Sequence, residues 1–475
     1  MVTWIAFVIG FVASPIATRL FVPTEKAKID MFSIYASLIA STCYLGLDQA
    51  FVRFFREPPK GLTKKGLFTL CIVAALGFSL ISSFALAFSW KFWSVNITES
   101  LNPLVFICLC IFSFCLVAYR FLSMNYRMEQ NARLYTIQGV MYALVTKIAY
   151  LVVGFGSAKG EEALLSLTVL MGIFTMVCIF FQRKSFRFGE LSQVSGPAVK
   201  ELSLFALPLV PLSILSWVNS NISSVALSSL LGLGATGIYT SALGLASTIN
   251  IIQTGFNAYW APYVLENYKS DDRKRFFTVH RLMACLLTFF GLAVTLMQTP
   301  VFMLLGKDYR SSVIFFPFLF ISPICYCLGE TTGMGITISK KSYWTTIIFL
   351  FSAVINIGLC YLLIPALGMP GAAIASAIAA VLTLLLRTIV GERYYKAIDS
   401  YRYLIYTLGL MFSASIINLL IEGAVKYLLL VGILLLAFAL YRKEVVMLWT
   451  TARQILEVVR AKFKRRKSTK ENTNE

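Results

Sequence analysis

The sequence predicts an all-α, polytopic membrane protein of about fourteen transmembrane helices, arranged as two six-helix lobes followed by two further helices. Three observations carry that expectation: apolar runs of membrane-crossing length recur from end to end, basic residues alternate from loop to loop, and one long basic interval follows the sixth run. Of the 475 residues, 58% are hydrophobic and only 13% charged, against roughly a quarter charged in an ordinary soluble domain. A soluble enzyme is excluded.

The runs lie at 2–22, 31–52, 66–90, 101–122, 135–156, 163–181, 204–231, 236–262, 277–304, 312–338, 343–364, 370–391, 402–421 and 424–441. Each is long enough to cross a hydrocarbon core about 30 Å thick. Short cytoplasmic loops carry the positive excess in membrane proteins. With both termini placed in the cytoplasm, 33 of the 42 Lys and Arg residues fall in the inner connections, the span ends beside them and the segment from Arg442 onward. Seven fall outside (Lys26, Lys28, Lys91, Lys159, Lys307, Arg310 and Lys426), and only Arg19 and Lys147 remain within spans. A missed or invented helix would invert every later loop, so the sustained alternation supports the count.

The longest polar interval, QRKSFRFGELSQVSGPAVK from Gln182 to Lys200, divides six spans from eight. The expected units are an N-terminal six-helix lobe over 1–181, a cytoplasmic linker over 182–203, a C-terminal six-helix lobe over 204–391, helices 13 and 14 over 392–441, and a basic cytoplasmic tail over 442–475. Six crossings return the chain to its starting side, so the second six-helix unit would repeat the first about an axis along the membrane normal. Met1 stands almost inside the first span without a basic flank, which argues against a cleaved signal peptide and raises the expectation of a start further upstream.

The formal net charge is +20. It sits in short loops and in the tail KFKRRKSTK (Lys462 to Lys470), with no nucleic-acid motif, so the expected partners are anionic lipids of the cytoplasmic leaflet and not nucleic acid. The ten cysteines all fall in apolar runs and read as small buried hydrophobes. No metal or other cofactor is expected, since the CxC pairs Cys108/Cys110 and Cys325/Cys327 have no neighbouring histidine or carboxylate. The single histidine, His280, is expected as a structural residue at the inner end of span 9.

Enzymatic chemistry needs converging titratable groups, and the outer loops are too short to present a polymerase site, so no enzyme is expected. A charge within a span costs roughly 2.5–3.5 kcal/mol at the bilayer centre and is a functional candidate by default. Lys147, near the middle of span 5, is expected to face a cavity. Glu330 lies in span 10, about 12 Å from its inner end at 1.5 Å per residue. Arg19 stands near the outer end of span 1 and Asp48 near the inner end of span 2, too far apart in depth to pair. Arg53 closes span 2 at the cytoplasmic face, either as a topology anchor or as a ligand contact.

Periodic polarity supplies a further signal. Ser33, Ser37, Ser41, Tyr44 and Asp48 recur in span 2 at steps of three and four, which places them on one helical face. Ser247, Asn250, Gln253, Thr254 and Asn257 do the same in span 8. Small polar faces also serve helix packing, but the bulkier amides Asn250, Gln253 and Asn257 favour a wet cavity. Spans 2 and 8 hold equivalent places in the two expected lobes. With Lys147 and Arg19 they describe a cationic path rich in hydrogen-bonding groups, suited to a phosphate-bearing, hydroxyl-rich ligand. Prolines and glycines within spans, among them Pro15, Pro208, Pro211, Gly232 and Gly333, suit helices that bend between two states.

Six stretches together resemble the polysaccharide flippases, the O-antigen and capsule repeat-unit exporters of the multidrug/oligosaccharidyl-lipid/polysaccharide exporter superfamily. They are SPIATRLFVPTE (14–25), GLDQAFVRFF (46–55), GIYTSALGLASTI (237–249), AYWAPYVLENYK (258–269), LLGKDYRSS (304–312) and ISKKSYWTTIIFLFSAVINIGLCYLLIPALGMPGAAIASAI (338–378). The resemblance implies alternating access in a bacterial cytoplasmic membrane, an undecaprenyl-diphosphate-linked oligosaccharide as cargo, coupling to a proton or sodium gradient left open, and other polysaccharide-assembly proteins as partners. By similarity Arg19 matches the arginine closing the first helix and Arg53 the one ending the second. Many relatives carry an Asp-Arg pair in span 7, where this chain reads Asn219, Ser220, Asn221. The alternatives are a multidrug or small-molecule exporter of the same superfamily, which twelve spans and ion-site carboxylates in the first lobe would favour and where Asp48 is the only acidic residue expected within that lobe's spans, a membrane polysaccharide polymerase, and a non-transporting assembly scaffold.

Overall fold

The computed structural model describes residues 2–247, 249–269, 273–451 and 453–454. Among these residues there is no β-strand. The first part of the chain forms α1 (Val2–Leu20), α2 (Pro23–Cys43), α3 (Leu47–Phe54), α4 (Lys64–Ala87), α5 (Trp90–Thr98), α6 (Pro103–Met128), α7 (Ala132–Ile148), α8 (Leu151–Gly154) and α9 (Gly160–Gln182). After two 3₁₀ turns come α10 (Gly196–Ala206), α11 (Leu209–Ala246), α12 (Ile249–Asn267), α13 (Arg273–Leu296), α14 (Gln298–Met303), α15 (Phe316–Thr332), α16 (Met334–Ile338), α17 (Tyr343–Leu367), α18 (Met369–Tyr394), α19 (Arg402–Leu420) and α20 (Gly423–Leu440).

Among the described residues, ten helices are long and apolar enough to cross a membrane, or up to twelve if each of two bent helix pairs is one span. The chain is a multi-pass membrane protein. The count differs from fourteen at two places: α1 supplies only the shorter apolar stretch Trp4–Leu20, and the segment Gly196–Ala246 counts once although its backbone breaks inside it. At Gly232 the backbone takes φ 79° and ψ 178°, a conformation open to glycine and strained for other residues. The predicted spans 204–231 and 236–262 meet at that break.

Helix starts follow local chemistry. Thr63, Asn102 and Asn131 accept the backbone N–H of Gly66, Leu104 and Leu134 at 3.1, 3.0 and 3.2 Å, capping α4, α6 and α7. Proline in the first turn opens α2, α6, α10, α15 and α18, where its missing N–H has no helical partner to lose. At α2 this overrides the apolar-run boundary. The helix begins at Pro23, so Lys26, Lys28 and Asp30 belong to it, whereas run length places both lysines in an outer connection and starts the span at 31.

Span 2 is broken. Leu45 and Gly46 take φ 51° and 68°, ending α2, and α3 departs at 52°. Gly46 is required there twice over, since a Cβ would stand 2.2 Å from the Ala206 carbonyl oxygen. Span 5 is interrupted as well: α7 ends at Ile148 and α8 starts at Leu151. Lys147, expected near mid-span, therefore lies in the last turn of α7.

The buried apolar residues form two large clusters. One gathers residues of α1 to α6, α8 and α9 together with Leu202, Ala206 and Leu233, with Tyr142 and Val145 of α7 packed against it. The other runs from Ala226 on α11 to Tyr441. Nine of the ten cysteines are buried and all ten are free thiols, packed as the small hydrophobes their surroundings predict.

Candidate functional site

The two clusters meet along α2 and α11. The Trp217 indole N–H donates to the Ile34 carbonyl at 3.1 Å and to Ser37 Oγ at 3.0 Å. Toward the start of α2, Thr240 Oγ1 donates to Asp30 Oδ2 at 2.6 Å, and the Leu233 N–H donates to Glu99 Oε1 at 3.0 Å. Backbones touch here as well. A Cβ on Gly237 would lie 2.0 Å from the Pro23 carbonyl oxygen, and one on Gly306 would lie 1.9 Å from that of Thr18. The Gly306 N–H donates to Thr18 Oγ1 at 3.2 Å, and Tyr309 Oη donates to the Phe21 carbonyl at 2.8 Å. These ties close the end of the molecule where α1 finishes and α2 begins.

A cationic group lies beside this closure. Lys26 is 8% exposed and its ammonium pairs with the Asp30 carboxylate one helical turn away. Lys147 is exposed on the last turn of α7, within electrostatic range of both Lys26 and Asp30. Arg19 is exposed on the last turn of α1, four residues before the Pro23 contact. Run length alone passed over Lys26 and Asp30. The signal that finds them is the helix-start pattern, with Pro23 at the first position and Glu25 in the first turn. Asp30 also corrects the expectation that Asp48 is the only acidic residue inside the first-lobe spans. Against the opposite face of the corner, an apolar groove of 390 Å³ runs between Val8, Val12 and Ile16 of α1 and Ile148, Val152 and Phe155 of the α7–α8 segment.

The serine stripe of α2 holds only to the helix break. Ser33, Ser37 and Ser41 are partly or fully exposed, with hydroxyls bonded back to Ile29, Ile34 and Leu38 of their own helix. Asp48, beyond the bend, is 6% exposed and accepts the Arg120 guanidinium through Nη2 at 2.9 Å and Nε at 3.2 Å. That pair braces α3 against α6 within the first half of the chain. Arg53 is exposed further along α3.

In the second half, Asn250 is exposed on α12, and Gln253 and Asn257 are partly exposed. Asn257 Oδ1 is buried without a hydrogen-bond partner. One turn on, the Trp260 indole donates to the Glu330 carbonyl at 3.1 Å. The Glu330 carboxylate faces Arg387 Nη1 of α18 at 3.5 Å. Arg387 escapes a sequence reading that assigns charges near span ends to the aqueous boundary.

His280 is fully buried, not interfacial. Its Nδ1 lies 2.8 Å from Thr331 Oγ1, whose own hydrogen goes to the Leu328 carbonyl. Around Asn219 on α11, neutral groups satisfy one another. Asn219 donates to the Phe349 carbonyl at 2.9 Å and accepts from Ser352 Oγ at 2.9 Å, and Thr383 Oγ1 donates to Ser352 Oγ at 2.6 Å.

No protein-family model and no curated protein matches the sequence. Solved structures do. One described as "Lipid II flippase MurJ, inward closed conformation" aligns with a TM-score of 0.64 at 15% identity, over 95% of this chain and 98% of that one. A second, an inward-facing multidrug resistance MATE family transporter of the MOP superfamily, gives 0.60 at 16% identity over 82% and 94%. A MATE in complex with MaD3S gives 0.52 at 18% identity over 83% and 93%. The chain thus has the fold of these transporters.

Proposed function

We propose that this protein is an alternating-access flippase that carries undecaprenyl-diphosphate-linked oligosaccharide repeat units across a bacterial cytoplasmic membrane, for capsule, O-antigen or exopolysaccharide synthesis. The observation that carries the reading is the cationic group at the closed end of the α2–α11 interface. Lys26 pairs with Asp30, and Lys147 beside them has no ion pair of its own. The surplus positive charge suits an anion, and a fold shared with a lipid II flippase suits a lipid-linked one. A diphosphate would meet Lys147 and Arg19, the sugars would meet the amides of α12, and the groove beside Ile148 offers a place for the first prenyl units.

The lobes in this reading are residues 1–181 and 204–391, joined by the linker 182–203 and followed by helices 13 and 14. The two separate apolar clusters support that division, and the ties at Pro23, Gly237 and Gly306 are the contacts that must part for the outer end to open. Both termini are cytoplasmic in this reading, and the basic stretch Lys462 to Lys470 lies outside the described residues.

The test is transport of a defined diphosphate-linked oligosaccharide into proteoliposomes. Wild-type protein should translocate it, and Lys147→Ala should abolish transport while the protein stays inserted and folded. Unchanged transport by that variant would remove Lys147 from the mechanism, and no transport by wild type would remove the cargo. A second reading, a multidrug exporter, draws on Asp30, an acidic residue among the first-lobe helices. Efflux of a cationic dye that Asp30→Asn eliminates would favour it.

A further inference from the structure

We infer that Arg387 is an anion-binding site in the second half of the transport path, with the Glu330 carboxylate holding the place of the cargo's phosphate. The inference rests on the flippase reading above and names a site on the same path, toward the opposite end from Lys147.

The surroundings of α15 point to it. From Ile321 to Ile336 every residue of α15 and α16 is buried except Ser322, Tyr326 and Glu330. Their spacing of four sets them on one face, so the only accessible face of this central helix is polar and ends at a carboxylate. Ser322 is spent on the Ser376 carbonyl at 3.1 Å, and Tyr326 lies within electrostatic range of Arg387.

The guanidinium is held for exchange. It lies across Gly329 of α15 and Gly333 just past its end: a Cβ on Gly329 would stand 3.2 Å from Arg387 Nη1, and one on Gly333 would stand 3.1 Å from Nε. Side chains there would take its seat. Glu330 reaches it through one long contact, Oε1 to Nη1 at 3.5 Å, and Nε is buried without a partner. Both side chains retain about the same slight exposure, 15% and 16%. A guanidinium presents parallel N–H donors that fit a phosphoryl group at two points, whereas this carboxylate uses one. Asn257 Oδ1, also unpartnered, lies one helical turn from Trp260, which holds the Glu330 backbone. A diphosphate arriving from the cytoplasm would displace Glu330 and later pass to Lys147.

Inorganic pyrophosphate serves as the probe, titrated calorimetrically into full-length protein that carries Arg19→Ala and Lys147→Ala to silence the two cations of the other site. Glu330→Gln, by removing the internal competitor, should tighten binding about tenfold or more, and Arg387→Gln should abolish it, with Arg387→Lys recovering part. The double variant Glu330→Gln/Arg387→Gln leaves no buried charge unpaired and should fold without binding, which separates lost affinity from lost structure. Equal affinity in wild type, Glu330→Gln and Arg387→Gln would overturn the site. Transport of the lipid-linked oligosaccharide by an Arg387-indifferent protein would overturn this inference and leave the flippase reading standing. Arg387-dependent pyrophosphate binding without any transport would do the reverse.

Discussion

Gly237→Ala tests whether the contacts at Pro23 form a gate. The added Cβ would stand 2.0 Å from the Pro23 carbonyl oxygen and 2.8 Å from its carbon, where ordinary contacts begin at about 3.4–4 Å. The two backbones must separate by more than an ångström. Overpacking of this kind costs roughly 1–3 kcal/mol. Only the closed state bears it, because the strain vanishes once the halves part. At tenfold per 1.4 kcal/mol the closed-to-open ratio should fall roughly five- to a hundredfold. The assay is a spin-label distance between Val22→Cys and Met303→Cys, which are 56% and 59% exposed on the two sides of the closure. Nine of the native cysteines are buried, so replacing Cys110 by Ser leaves a quiet background. Gly237→Ala should add a longer-distance population. Gly432→Ala, whose Cβ would meet nothing within 4 Å, should match the parent. If the first variant inserts poorly, Gly306→Ala, 1.9 Å from the Thr18 carbonyl, repeats the test. An unchanged distribution in a folded Gly237→Ala protein would refute the gate.

Two further outcomes follow from the ion pairs. Asp30→Asn leaves the Lys26 ammonium without its counter-charge in a site where the side chains are only 10% and 21% exposed, and should lower stability by about 3 kcal/mol, read as a fall in the midpoint of denaturant unfolding in detergent; a midpoint equal to wild type would mean that Lys26 is not charged. Asp48→Asn and Arg120→Gln, combined in a double-mutant cycle, should couple by less than about 1 kcal/mol because Arg120 is 42% exposed and solvent screens the pair, and a coupling of several kcal/mol would show that the pair is dry.

Much of the helical framework is legible because apolar run length and the start signals of helices are local properties. The serine stripe of α2 is legible for the same reason, since Ser33, Ser37 and Ser41 share one unbroken helix. Asp48 leaves that stripe because Leu45 and Gly46 turn left-handed, and only one of the two is a residue that announces such a turn. Run length misplaces Lys26 and Asp30 because a charged first helical turn looks like a loop to hydropathy, even with Pro23 marking the start. Glu330 with Arg387, and Gly237 with Pro23, join segments far apart in sequence. Nothing in one chain read alone pairs them.

Pairing decides which cations remain free to meet an anion. Lys26 answers Asp30, Arg120 answers Asp48 and Arg387 answers Glu330. Among the described residues, Arg19 and Lys147 have neither an ion pair nor a side-chain hydrogen bond, and both are exposed. A lysine facing hydrocarbon would cost roughly 2.5–3.5 kcal/mol, and in the proposed reading Lys147 turns toward the path instead. Arg19 and Lys147 together would balance the two ionised oxygens of a diphosphate diester without breaking any existing pair. At the other end, Arg387 must first be taken from Glu330. In the proposed cycle the exchange at Arg387 holds the anion weakly and the balance at Lys147 and Arg19 holds it more strongly. That gradient of charge balance, rather than any single contact, would draw the cargo from the inner half of the path toward the gate at Pro23 and Gly237.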